Sequence, residues 1–120
     1  MTKLNNNQEA ETNEELDELT QVSMNILIHS GNARDNLVKA LTSIETSNFQ
    51  EADKYIKQAR QDIVTAHGMQ TSTLQKEASG EQIRYSTLFS HAQDTMMTAQ
   101  SEILIGEHLI KIFKTIISKK

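Results

Sequence analysis

The 120-residue sequence contains no cysteine, no proline and no tryptophan, and only four glycines. Without cysteine there is no disulfide, no thiol nucleophile and no thiolate metal site. That absence is also compatible with a reducing compartment. At the ordinary proline frequency of about 5%, a chain of this length would carry about six. Sheet-rich folds need frequent turns rich in Gly, Pro, Asn and Asp, so an antiparallel sandwich or barrel is disfavoured. Long helices with few connections are the natural alternative. The aromatics are two tyrosines and three phenylalanines, not interleaved with basic residues, which leaves no stacking platform for bases. A net charge of −4 lacks the basic surplus of a nucleic-acid binder. No signal-peptide core and no apolar run near the ~18 residues of a membrane span appear. The expectation is one soluble domain of intracellular type.

Three helical stretches carry the apolar periodicity. Residues 1–12 are polar and aperiodic and read as a disordered lead-in, leaving 13–120 as the single domain. Six acids lie between Glu9 and Glu18, suited to a helix N-terminus. The first helix is expected over 13–47, capped by Asn13, with Leu16, Leu19, Val22, Ile26, Ala33, Leu37, Ala40 and Ile44 in its stripe. Gly31 falls inside this stripe without breaking its phase, so close packing is the expected reason for it. After a turn at Thr46-Ser47-Asn48, the second helix is expected over 49–78. Its seam of Phe49, Ala52, Ile56, Ala59, Ile63 and Ala66 alternates by three and four residues, as in a helical bundle. Gly80 then stops it.

The third helix, expected over 86–118, is apolar on two sides. One seam runs Tyr85, Phe89, Ala92, Met96, Ala99, Ile103, Gly106, Ile110, Phe113, Ile117. A second runs Leu88, His91, Thr95, Thr98, Glu102, Ile105, Leu109, Ile112, Ile116. A lone three-helix unit buries only one of these stripes. The second implies an oligomer joined through helix three.

Little chemistry is available. There is no Gly-rich phosphate loop, no His-Glu-x-x-His pair and no nucleophile elbow. Four histidines remain, at 29, 67, 91 and 108. His67 lies near the end of helix two and His108 near the expected oligomer edge. His91 sits mid-helix, with Asp94 and Thr95 beside it at i+3 and i+4, while Gln93 points away within the same chain. Gln93 therefore reaches His91 only across a subunit contact. A neutral imidazole is a good nucleophile toward phosphorus and a reversible phosphoryl acceptor. A lone helical histidine is more often a surface residue, and periodicity alone does not select phosphotransfer.

The run His91-Ala92-Gln93-Asp94, followed by Met97-Thr98, resembles the active-site motif of the lactose/cellobiose-type enzyme IIA proteins of the bacterial sugar phosphotransferase system. Ser30-Gly31-Asn32-Ala33-Arg34, Ala66-His67, Gln70-Thr71 and Glu77-Ala78-Ser79-Gly80-Glu81 match in the same order and spacing, so the resemblance covers residues 14–118. It implies an all-α, antiparallel up-down-up three-helix bundle assembling as a homotrimer. It implies a cytoplasmic phosphotransferase component that takes a phosphoryl group on His91 from the general histidine-containing phosphocarrier protein. That group then passes to a cysteine of enzyme IIB, for import of a lactose-, cellobiose- or chitobiose-type disaccharide through the membrane component, enzyme IIC. Gln93 and Thr95 would neighbour the phosphoryl group. Asp94 would lie near the trimer axis beside a divalent cation. Three converging carboxylates repel one another, and a hard cation such as Mg²⁺ would satisfy them.

One position departs from the family pattern. A second histidine commonly follows the aspartate, where this chain has Thr95. A histidine there donates a hydrogen bond and sometimes a charge, whereas threonine offers a hydroxyl. The competing reading is a non-catalytic helical oligomer, a regulator or scaffold that retains the fold. A helical-bundle metal enzyme fails on ligand count, because no Glu-x-x-His pairs recur on facing helices.

Overall fold

Two short connections, each ending in a side-chain cap, divide the chain into three helices. A computed structural model describes the backbone of residues 6–119 and the side chains of residues 18–119. The helices are α1 (Asn6–Glu45), α2 (Phe49–Ala78) and α3 (Thr87–Ser118). Asn48 caps α2, its side chain accepting from the Glu51 N–H at 3.2 Å. Ser86 caps α3 in the same way, accepting from the Phe89 N–H at 3.1 Å. At the end of α2, Gly80 adopts φ +106°, a conformation that suits glycine. This lets the Glu81 N–H return to the Lys76 carbonyl at 3.1 Å and closes the helix.

The expected α2 boundaries match the structure, and α3 starts one residue after its Ser86 cap. The start of α1 needs correction. It begins at Asn6 rather than Asn13, so residues 6–12 are helical instead of a disordered lead-in. Gln8, Glu9, Ala10 and Glu11 are good helix formers, and acids favour a helix N-terminus. Propensity prevails there without an apolar stripe. The rest of the expected lead-in, residues 1–5, and the Leu16 side chain lie outside the described residues.

Interhelical polar pairs report the register. Asn36 Nδ2 donates to Asp62 at 3.0 Å and Lys76 pairs with Glu18 at 2.9 Å, which makes α1 and α2 antiparallel. The carboxylate of Glu18, bonding and attracting the ammonium, raises the pKa of Lys76 above its ordinary value. Arg60 pairs with Glu107 and Lys114 with Asp53, running α3 back against α2. Arg34 reaches Glu102 at 2.6 Å, so α1 and α3 run parallel. This is the expected up-down-up bundle.

Carried along the helical repeat, these registers order the core into layers. Leu37, Ala59 and Gly106 share one level, and Ala33, Ile63 and Ile103 the next; all six are buried. Burying each large aliphatic side chain contributes about 1.5–3 kcal/mol. Toward the start of α3 the layers become smaller and more polar. Ser30 joins Ala66 and Ala99, then Gln70 joins Ile26 and Met96, then Ser23 and Thr73 join Ala92. The apolar stripes did not anticipate these four polar core residues. Ser23 and Thr73 return their hydroxyls to the carbonyls of Leu19 and Met69 one turn earlier.

Gly31 also needs correction. A β-carbon at Gly31 would meet nothing within 4 Å, so close packing does not account for it. The glycine that permits close approach is Gly106, where α3 crosses the Leu37 side chain.

Candidate functional site

Phe89, Ala92 and Met96 anchor the first turns of α3 in the core, which fixes the outward direction of the residues between them. His91 and Asp94 are exposed, and Gln93 and Thr95 are half-buried. Thr95 lies one heptad before Glu102 and so on the edge of α3 that faces α1. Gln93 lies two heptads before Glu107, on the edge facing α2. The structure thus brings His91, Asp94 and Thr95 to one side of the helix and turns Gln93 to another, as the spacing predicts.

His91 occupies the second turn of α3, and helical side chains tilt toward the N-terminus. Its Cβ therefore leans toward the first turn, the positive end of the helix dipole, where Ser86 already accepts from the Phe89 N–H. No acidic residue occupies that turn to compete for the positive field. An anion attached to His91 is favoured there. Ser86 followed by an acid-free turn is the signal of this contribution in the sequence.

Asp94 continues a different feature. Eighteen residues are five helical turns, so Asp94 shares its azimuth with Ile112. The face between them carries Ile105 and Leu109, and beyond Ile112 it reaches Ile116. All four isoleucine and leucine side chains are at least half exposed. This is the second apolar seam, and Asp94 stands at its upper end. The Asp94 backbone carbonyl accepts from the Thr98 hydroxyl at 2.7 Å, while its carboxylate faces outward. Among the described residues, no three His, Cys, Asp or Glu side chains cluster to hold a metal. One chain supplies a single hard oxygen ligand at this place, and a cation site there needs further copies.

The remaining histidines are separate. His67 is exposed, with its Nδ1 3.4 Å from the Thr71 hydroxyl. His108 is exposed further along α3, and His29 is half-buried on α1. An open groove lies between α1, the end of α2 and the loop before α3, lined by Leu19, Thr73, Lys76 and Ile83 among others. His91 and Asp94 do not line it. The histidine is offered on a protein surface rather than in a small-molecule pocket. No helix among the described residues is long and apolar enough to cross a membrane.

Residues 21–114 match the family described as "PTS system, Lactose/Cellobiose specific IIA subunit". The lactose-specific EIIA component of Lactococcus lactis subsp. lactis is 37% identical over 98 residues, covering 82% of this chain and 93% of that protein. The cellobiose-specific enzyme IIA of Bacillus anthracis superposes with a TM-score of 0.77 at 33% identity, over 83% of this chain and 92% of that one. The IIA(Chitobiose) protein of Escherichia coli, solved in complex with HPr, superposes with a TM-score of 0.68 at 27% identity, over 82% and 95%. With this fold, and with His91 presented on the surface of α3, the chain belongs to the lactose/cellobiose-specific IIA family and is a phosphotransferase component of the sugar phosphotransferase system.

Proposed function

We propose that the chain is a cytoplasmic phosphocarrier that accepts a phosphoryl group on His91 and relays it between two proteins. The observation that carries this reading is the exposure of His91 in the second turn of α3, next to an acid-free first turn. The donor is the general histidine-containing phosphocarrier, in keeping with the HPr complex formed by the E. coli relative. In the first step the donor's N–P bond breaks as an N–P bond to the His91 imidazole forms. In the second, that bond breaks as a cysteine thiolate of enzyme IIB takes the phosphoryl group as an S–P bond. The phosphoryl group then serves import of a lactose-, cellobiose- or chitobiose-type disaccharide through enzyme IIC.

The chain's own residues support each step by position. The His91 imidazole is the nucleophile, and the α3 N-terminus stabilises the charge the phosphoryl group brings. Thr95, one turn further on, donates its hydroxyl to a phosphoryl oxygen. Gln93, on the far edge of its own helix, serves the phosphoryl group of a neighbouring copy.

That arrangement rests on a homotrimer joined through the exposed apolar face of α3. Leaving Ile105, Leu109, Ile112 and Ile116 in water forgoes about 25 cal/mol for each Å² that a partner helix would cover. Closing the copies on this face brings together Asp94 from each of them, at the seam's upper end. Three such carboxylates would hold a hard divalent cation such as Mg²⁺, which would neutralise their repulsion.

The test is labelling with phosphoenolpyruvate, enzyme I and the general phosphocarrier. One acid-labile phosphate per chain is expected on His91, absent from His91→Ala. Labelling that survives this substitution, or never occurs in the wild type, refutes the reading. Labelling without onward transfer to enzyme IIB would favour the regulator, the reading suggested by Thr95.

A further inference from the structure

Gly31 interrupts α1 without a reason inside the chain. A mid-helix glycine weakens a helix relative to alanine, and a β-carbon at this position would meet nothing within 4 Å. Gly31 lies three residues before Arg34, which reaches Glu102, so it stands beside the edge of α1 that faces α3. Met24 and Val38, seven residues to either side of it, share its row and are 45% and 62% exposed. The row is an exposed apolar ridge with a notch at its middle.

A second exposed apolar row lies on the other flank of the open α3 face. Met97 and Leu104 are also seven residues apart, and are 56% and 54% exposed. Met97 follows Gln93 by four residues and Leu104 precedes Glu107 by three, which places both beside the edge of α3 that meets α2. Val64 of α2, four residues after Arg60, extends this flank and is exposed as well. The Arg34–Glu102 pair relates heights on the parallel helices α1 and α3. Counted from it, Gly31 is level with Ala99, Met24 with Ala92 and Val38 with Gly106. Met97 and Leu104 thus fall just above and below the notch, between the heights of the two ridge residues. Within one chain the width of α3 keeps the rows apart.

A row whose complement lies on the opposite flank of the same molecule fits a second copy, added head to tail around a ring. We propose that Met97 and Leu104 of one copy seat on either side of Gly31 of the next, between the Met24 and Val38 of that next copy. This contact rests on the trimer read from the exposed α3 seam and extends that seam outward onto α1. Rotation about an axis along α3 leaves heights unchanged, so the two rows meet in register. The missing side chain of Gly31 lets the neighbouring helix come close. The contact also decides which copy serves which histidine. Gln93 shares the flank of Met97, whereas Thr95, one turn beyond His91, lies on the flank facing α1. Joining these flanks brings Gln93 of one copy to the His91 side of the next.

The absence of cysteine makes the contact directly testable in the full chain. Gly31→Cys/Met97→Cys and Gly31→Cys/Leu104→Cys are oxidised mildly and run on a non-reducing gel. At least one pair should give covalent dimers and trimers, because a disulfide forms where Cα atoms come within about 7 Å. Gly31→Cys alone should remain a single chain. If the wild type sediments as a trimer and the reduced pairs do too, yet neither pair forms an interchain disulfide, the contact is overturned and the trimer stands. A monomeric wild type overturns both. Gly31→Leu gives a second reading, because it fills the notch while its β-carbon meets open space within the chain. With helical circular dichroism retained, it should raise the protomer concentration of half-association by at least about tenfold. Unchanged association would show that nothing seats at Gly31.

Discussion

Gly106 of α3 lies so close to Leu37 of α1 that a β-carbon on the glycine would fall 2.5 Å from Leu37 Cδ1. Leu37 is itself buried, so its methyl group has little room to turn away. The contact sets how closely the two parallel helices approach, and thus where α1 stands relative to the His91 face.

Gly106→Ala should therefore destabilise the protein by about 1–3 kcal/mol through overpacking, despite alanine's better helix propensity. Trimming the opposing side chain in Gly106→Ala/Leu37→Val should recover part of the loss. Gly68→Ala is the matching control, because a β-carbon there meets nothing within 4 Å. It should stabilise by about 0.5–1 kcal/mol. Urea unfolding of the four proteins checks the order.

The exposed apolar face of α3 predicts self-association. Sedimentation at micromolar concentration should give about three times the 13.5 kDa chain mass. Ile105→Glu/Ile112→Glu places charge on that face without touching the bundle core and should yield the monomer. Its helical circular dichroism should persist, since the buried seam of Phe89, Met96 and Ile103 is unaltered.

Thr95 predicts a graded effect on transfer. Thr95→Val keeps the shape and removes the hydroxyl, so phosphorylation of His91 should slow by about tenfold, the worth of one charge-assisted hydrogen bond. Thr95→His should quicken it and lengthen the life of the phosphohistidine. Single-turnover labelling with purified donor measures both.

Asp94 predicts a cation effect confined to the oligomer. If the proposed trimer gathers Asp94 from each copy, Mg²⁺ should raise the melting temperature of the wild type by binding that assembled state preferentially. Asp94→Asn removes the repelling charges, and its melting temperature should not respond to Mg²⁺. Thermal scans with and without the ion, and with excess chelator, provide the comparison.

Much of this architecture follows from local rules. The apolar spacing of three and four places Ala52, Ala59, Ile63 and Ala66 on one face of α2 wherever that helix packs. Asn48 marks its start, Gly80 its end and Ser86 the start of α3, through their own side chains or backbone freedom. The motif resemblance singled out His91, and a helix fixes the direction of i+3 and i+4, which placed Asp94 and Thr95 beside it from sequence alone. Other features were hidden. Ser23, Ser30, Gln70 and Thr73 interrupt an apolar pattern, and only a third dimension shows them buried. The early start of α1 escaped notice because its first turns rely on propensity rather than a stripe.

The lack of proline, together with the periodicity, determined three uninterrupted helices, and the lack of cysteine left no thiol on the chain. These are properties of single residues and their near neighbours along the chain. The tertiary structure decided which glycine is a contact, which polar residues are core, and which side of α3 stays open to a partner. Those outcomes depend on which helices meet and in what register, and register brings together residues as distant as Arg34 and Glu102, sixty-eight residues apart.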